Sequence, residues 1–268
     1  MPATGRLRYL ESLPPPAHAQ RRRGALVLLH AFPLNARMWE PQLGLAALGW
    51  HVIAPQVRGV DGGDAEPPAA TLDDYTADLI DLLDQLHIED AVFCGLSMGG
   101  YLALSLLRRA PTYIRALVLA DTRSEADTPE GREARLATLK KLDHEGPGVV
   151  VDELIPRLLG AGTRAHRPAV VERVRELAMS NSKDSLAAAV RVLMSRLDAT
   201  PLLSTIHFPT LIIVGEDDVI TPPAAAEHMH SRIAGAELVR ISDCGHLSSL
   251  ERPDAFNDAL ARFLNHRV

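Results

Sequence analysis

Six short, mostly apolar runs constrain this chain more than any other feature of its sequence. They are residues 25–29, 51–54, 91–94, 116–120, 211–214 and 238–241, each rich in Val, Ile, Leu or Ala. A strand with one wet face alternates polar and apolar residues. A run that does not alternate suits a strand covered on both faces, as in a parallel sheet. Helical patterns lie between the runs. Leu72, Tyr75, Leu79, Leu82, Leu83 and Leu86 recur at three–four spacing, with Thr71 as the predicted cap and Asp73 and Asp74 in the first turn. Residues 98–110 predict a helix that stops at Pro111, and Pro253 opens a last helix whose apolar face is Phe256, Leu260, Phe263 and Leu264. Near the start, Arg6-Leu7-Arg8-Tyr9 alternates like a half-exposed strand. The expected fold class is therefore α/β, a mostly parallel sheet flanked by helices through right-handed crossovers.

One segment departs from the alternation. Between about 122 and 205 the patterns are helical only, at 131–143, 149–159, 169–179 and 185–197. This predicts a helical insertion, residues 122–205, between two strands of a core made of residues 1–121 and 206–268.

Composition narrows the function classes. The chain has 268 residues, 28 basic against 34 acidic side chains and a net charge of −6. A sequence-independent grip on nucleic acid needs the opposite sign, so no nucleic-acid partner is expected. The three-residue basic run at Arg21–Arg23 reads as a solvated loop. Two cysteines, Cys94 and Cys244, exclude a disulfide scaffold and any Cys-based zinc spacing. No early apolar run is long enough for a signal segment or a membrane span. The expectation is a soluble cytoplasmic protein with no membrane partner.

The chemistry is carried by Gly95-Leu96-Ser97-Met98-Gly99, which follows one apolar run and opens a helix. Strand–turn–helix is the context in which G-x-S-x-G holds a serine on a strained turn with its hydroxyl projected. The helix N-terminus there favours developing negative charge. A serine hydroxyl needs a base to take its proton. His246, in Asp243-Cys244-Gly245-His246 just past the last strand run, is the candidate among eleven histidines. His30 ends another run, in Leu29-His30-Ala31-Phe32-Pro33. His228 and His230 are two apart on a predicted helix and face different ways, so they read as surface residues. The base needs an orienting carboxylate. Gly215-Glu216-Asp217-Asp218 follows a strand run and supplies three acids, and Asp121 ends another. Met38 and Trp39 read equally as pocket lining or as packing. Cys94 and Cys244 read as structural, and Asp61-Gly62-Gly63-Asp64 lacks the lysine and spacing of a phosphate loop.

Over nearly its whole length the chain resembles the α/β-hydrolase superfamily, through residues 29–35, 95–100, 215–222 and Gly245-His246. Within it the sequence looks most like the short carboxylesterases and 3-oxoadipate enol-lactonases. The resemblance implies the α/β-hydrolase fold and the chain order serine, acid, histidine. It places the acid at Asp218 through the spacing of Gly215, Asp218 and Pro222, with Asp217 and Asp121 as the other candidates. It implies Ser97, Asp218 and His246 as the catalytic residues and the backbone N–H groups of Phe32 and Met98 as oxyanion donors. It also implies that residues 122–205 are a cap over the site. Two positions depart from the family pattern: Ala31 stands where glycine is usual, and Gln56 where aspartate is usual.

These residues imply a carboxylic ester hydrolase working through an acyl-serine, with no cofactor and no metal. The partner is a small-molecule ester or lactone of small to medium acyl chain, and the protein is a monomer or homodimer. The alternatives are a lactonase of the enol-lactonase type, a C–C bond hydrolase, a perhydrolase side activity, and a ligand-binding protein on the same fold.

Overall fold

The computed structural model describes residues 7–16, 23–60, 69 and 71–268. Arg6, Arg21, Arg22 and the Asp61–Asp64 run lie outside them. Seven strands form one sheet: β1 (Tyr9–Ser12), β2 (Gly24–Leu29), β3 (Trp50–Pro55), β4 (Ala91–Leu96), β5 (Ile114–Ala120), β6 (Thr210–Gly215) and β7 (Glu237–Ile241), in the order β1-β3-β2-β4-β5-β6-β7. Every pairing is parallel except β1 with β3. The edge strand corrects the reading of residues 6–9. It runs Tyr9–Ser12, with Tyr9 paired to Pro55 and Ser12 to Val52.

The apolar runs have a direct structural cause. Along β2, Leu26 and Leu28 enter the core on one face of the sheet, while Ala25, Val27 and Leu29 enter the core on the other. Successive side chains of a strand point to opposite faces, so a strand covered twice has no position for a polar residue. One face is covered by α1 (Leu72–Gln85) and α2 (Met98–Arg109), which feed Leu72, Leu79, Leu102 and Leu106 into it. The Thr71 N–H donates to the Asp74 carboxylate at 2.8 Å, closing the start of α1.

Between β5 and β6 run α3 (Pro129–His144), α4 (Pro147–Leu158), α5 (Ala161–His166), α6 (Pro168–Met179) and α7 (Lys183–Met194). Thr128 and Ser182 cap α3 and α7, their hydroxyls accepting backbone N–H groups at 3.1 Å. Leu142, Val150, Leu186 and Val190 form a small core of their own among these helices, with Phe32 packed against it. α8 (Pro223–His230), α9 (Ser248–Glu251) and α10 (Pro253–His266) complete the chain.

The sequence reading did not find the long 3-10 helix Ala36–Leu48. Its polar and apolar residues follow neither helical nor strand periodicity, and Pro41 lies inside it. It covers the second face of the sheet together with α10. There Met38 and Trp39 are fully buried, and Trp39 meets Phe256 with ring centroids 5.9 Å apart. Both residues are core packing. Such a tilted aromatic pair is worth roughly 0.5–1.5 kcal/mol beyond its buried area.

Candidate active site

The C-terminal ends of the parallel strands carry the site. β4 runs into Ser97, whose φ of 53° places a non-glycine residue in the left-handed region before α2 begins. That turn is held from outside: the Ser97 N–H donates to the Ala120 carbonyl at 3.0 Å, and the Thr122 hydroxyl donates to the Ser97 carbonyl at 2.9 Å. The two flanking glycines are required by space. A Cβ on Gly95 would lie 2.2 Å from the Gly99 carbonyl oxygen, and one on Gly99 would lie 2.0 Å from that of Leu29. The elbow is as tight as it is because strand, turn and helix backbones touch at these positions.

His246 follows β7 and reaches Ser97 across the sheet end. Its Nε2 lies 2.8 Å from Ser97 Oγ, and its Nδ1 lies 2.8 Å from Asp218 Oδ2. Asp218 follows β6, and its carboxylate accepts from four groups. Oδ1 takes the N–H of Ile220 at 2.8 Å and of Thr221 at 2.9 Å, while Oδ2 takes the Thr221 hydroxyl at 2.6 Å and the His246 ring. That fills the acceptor capacity of an ionised carboxylate. Burial pushes the Asp218 carboxyl up, but the His246 charge and these hydrogen bonds outweigh it and hold it below the ordinary carboxylate range. Burial likewise pulls the His246 imidazole down, and the Asp218 charge and hydrogen bond more than reverse this, leaving it above its ordinary value of 6.5. An ionised Asp218 has no proton to give, so Nδ1 carries the hydrogen and Nε2 is left to accept from Ser97.

Of the other acids, Glu216 and Asp217 are exposed and point away. Asp121 is fully buried at the end of β5. It accepts the Gly215 N–H at 2.9 Å on one oxygen, and the Ser248 N–H at 3.2 Å and hydroxyl on the other. Burial and the nearby Asp218 charge push its carboxyl up to about 8.

The loop after β2 brings Phe32 to the same cavity as Ser97 and His246. The N–H groups of Phe32 and Met98 have no acceptor among the described residues. His30 fixes this loop from below. It is fully buried, and burial lowers its pKa to about 4 against the opposing hydrogen bond to the Ala31 carbonyl, so it is neutral. Its Nε2 accepts the Val57 N–H at 3.2 Å, which leaves Nδ1–H to donate to the Ala31 carbonyl at 3.2 Å. From above, the Asn181 amide donates to the Pro33 carbonyl at 2.7 Å, and the Asn35 amide donates to the Ser180 hydroxyl at 2.8 Å. Gln56 caps the start of the 3-10 helix, its Oε1 accepting the Ala36 N–H at 2.7 Å. The Ala31 N–H donates to Met38 Sδ at 3.2 Å.

Glu251 was not found from sequence. This buried carboxylate accepts the Gly245 N–H at 2.9 Å and the Leu247 N–H at 3.4 Å, which flank His246. A lone Glu just before Pro253 reads as surface; only the fold turns it inward. Cys94 and Cys244 are free and buried. His228 lies 3.6 Å from Glu125, and no group of three or more His, Cys, Asp or Glu side chains gathers among the described residues.

The sequence pattern of the alpha/beta hydrolase fold family matches residues 24–253. The chain belongs to the α/β-hydrolase family. This α/β hydrolase is 27 % identical to 3-oxoadipate enol-lactonase 2 of Acinetobacter baylyi over 241 residues, 90 % of this chain and 88 % of that one. It is 30 % identical to a pimeloyl-[acyl-carrier protein] methyl ester esterase of Aromatoleum aromaticum, covering 87 % and 94 %. A solved thermophilic esterase from Thermogutta terrifontis superposes with a TM-score of 0.88 at 33 % identity, over 97 % of this chain and 93 % of that one. The α/β hydrolase described here is thus a hydrolase of the esterase and enol-lactonase-like branch. Among its described residues no helix is long and apolar enough to cross a membrane.

Proposed function

We propose that this protein is a carboxylic ester hydrolase that works through an acyl-serine. The observation that carries the reading is the unbroken relay from Ser97 Oγ through His246 to Asp218, with 2.8 Å at each step. Ser97 attacks the ester carbonyl while His246 Nε2 takes its proton. The new C–O bond pushes the carbonyl electrons onto oxygen, and the N–H groups of Phe32 and Met98 receive that charge. One such donor is typically worth about 3–4 kcal/mol of barrier. Collapse of the tetrahedral species breaks the bond to the alcohol, which leaves with the His246 proton. Water, deprotonated by His246, then attacks the acyl-serine and releases the acid. Asp218 holds the ring's tautomer and stabilises the imidazolium.

Residues 122–205 serve as the cap, its helices α3, α4 and α7 supplying much of the cavity wall. That cavity holds about 240 Å³. Drug-sized sites run from about 300 Å³ upward, so the substrate is small. A lactone is an internal ester and reacts by the same steps. The likeness to an enol-lactonase supports the lactone as the second reading. Two free buried cysteines fit a reducing cytoplasm.

Initial rates on p-nitrophenyl esters from acetate to decanoate, with Ser97→Ala alongside, test the reading. Turnover concentrated on short chains and abolished in the variant is the expected result. No turnover above the variant's on any ester or lactone overturns it.

A further inference from the structure

An ester is uncharged at its reacting group, yet this cavity is strongly cationic. Arg123, Arg135, Arg157 and Arg196 line it together with Ser97 and His246, against the single carboxylate of Asp127. The chain as a whole carries a net charge of −6, so the excess is local. Ion pairing inside the wall does not absorb it. Asp127 accepts from both Arg135 and Arg196, with the Arg196 Nη2 contact at 2.8 Å. Burial pushes the Asp127 carboxyl up, but those two cations hold it below the ordinary carboxylate range. One negative charge therefore serves two guanidinium groups. Arg123 donates to the Ile220 carbonyl, a neutral partner.

One buried donor and one exposed cation remain without a protein partner. The Arg196 side chain is only 5 % exposed, its Nε donates to the Glu125 carbonyl at 2.9 Å, and its Cζ stands 4.2 Å from the centre of the Tyr101 ring. Its Nη1 is buried with no hydrogen-bond partner among the described residues. Arg157, in the last turn of α4, is exposed at the cavity wall and makes no hydrogen bond or ion pair with any described residue. A neutral substrate in this cavity would leave the Arg196 Nη1 donor unsatisfied and would strip water from Arg157 without replacing it, and covering a polar group without a partner is costly.

We propose that the ester or lactone this enzyme takes carries a free carboxylate, held by Arg196 and Arg157 in the wall of the Ser97 cavity. The proposal rests on the serine-hydrolase reading above. A carboxylate presents two oxygens to a guanidinium fork, and charge-assisted hydrogen bonds of this kind are the strong ones. The ester group itself meets Ser97, so the acid binds apart from the bond that breaks. Arg123, Arg196 and Tyr101 also border a neighbouring cavity of about 170 Å³ between α1, α2 and the end of α7. Arg196 thus borders both cavities.

The carboxylate belongs to the acyl part or to the leaving group, and two pairs of substrates separate these. The acyl pair is p-nitrophenyl hydrogen glutarate and its methyl ester. The leaving-group pair is 4-acetoxybenzoate and its methyl ester. Each enzymatic rate is divided by the spontaneous hydrolysis rate, and active sites are counted by fluorophosphonate labelling of Ser97. In one pair the acid should exceed its methyl ester in kcat/KM by about tenfold or more, which corresponds to about 1.4 kcal/mol. The gain should lie mainly in KM and shrink with added salt. Arg157→Gln and Arg196→Lys should each reduce the acid-to-ester ratio. The lysine keeps the charge and loses the fork, so its effect reports geometry rather than unfolding. Equal rates within both pairs overturn the carboxylate proposal and leave the serine mechanism standing. A preference that survives both variants overturns the assignment to these arginines. Failure of all four compounds to turn over faster with wild type than with Ser97→Ala overturns both readings at once.

Discussion

The Glu251 carboxylate reaches 91 residues back along the chain to accept the Gly160 N–H at 2.9 Å, while its other oxygen accepts the Gly245 N–H next to His246. One buried side chain thereby joins the helical segment between β5 and β6 to the loop that carries His246. The His246 N–H adds a second tie, donating to the Leu158 carbonyl at 3.1 Å. His246 is positioned by the helices between β5 and β6 as well as by the sheet.

Glu251→Gln should therefore act on both loops. The amide replaces one acceptor oxygen by a donor that faces a backbone N–H. A loss of about 1–3 kcal/mol of stability is expected for such an unsatisfied buried pair. kcat should fall by about tenfold with little change in KM, because reaction geometry is disturbed and not substrate contact. Urea denaturation and steady-state kinetics of the same preparation check both; a variant with wild-type kcat would show that Glu251 does not position His246.

Asp218→Asn should cost about 10⁴-fold in kcat, since the amide no longer favours the tautomer with hydrogen on Nδ1. The pH profile carries the sign. His246 must be neutral to accept the Ser97 proton, so kcat/KM falls as pH drops through its pKa, which lies above 6.5 in the intact site. Removing the Asp218 charge leaves burial as the largest influence, and burial lowers an imidazole. The acidic limb of the residual activity should move to lower pH. A limb that stays in place would assign it to another group.

Asp121→Asn should be far milder than Asp218→Asn near neutral pH. With its carboxyl pushed up to about 8, Asp121 is largely protonated there, and an amide resembles a protonated acid more than an ion. The linkage also has a direction. A carboxyl whose folded pKa is raised above its ordinary 3.8 adds stability below that value and loses it as pH rises through about 8. Wild type should thus lose stability from pH about 6 to about 9 more steeply than the variant. Urea midpoints at the two pH values decide; parallel losses would mean that Asp121 is ionised throughout.

Gly99→Ala should destabilise the protein rather than merely slow it. The added Cβ would meet the Leu29 carbonyl carbon at 2.5 Å and its oxygen at 2.0 Å, and both belong to the interior strand β2. About 3 kcal/mol is expected for such overpacking against backbone. Gly44→Ala is the control, since nothing lies within 4 Å of its added Cβ. Comparable midpoints for the two variants would contradict the close approach of α2 to β2.

The sequence alone specifies the sheet, because a strand buried on both faces leaves an unalternating run: Leu26 and Leu28 face one core and Val27 and Leu29 the other. It determined the position of Ser97 for the same local reason. Gly95 and Gly99 are spaced for a backbone contact within a single turn, and residues 98–109 wind into helix directly after it. The 3-10 helix Ala36–Leu48 was not legible, since no period in its residues announces it and the side chains it buries, Trp39 against Phe256 among them, meet partners distant in sequence. Glu251, Thr221 and the two roles of Asp121 were equally silent. Each acts through hydrogen bonds to residues 3 to 127 positions away, and their partners are mostly backbone N–H groups that every sequence possesses. The choice among Asp217, Asp218 and Asp121 was likewise decided by tertiary structure, which turns Asp217 to solvent, Asp121 toward Gly215 and Ser248, and Asp218 alone toward His246. Local periodicity writes itself into neighbouring residues. Which buried charge meets which partner is settled only when strands and loops distant in sequence share one low-dielectric space.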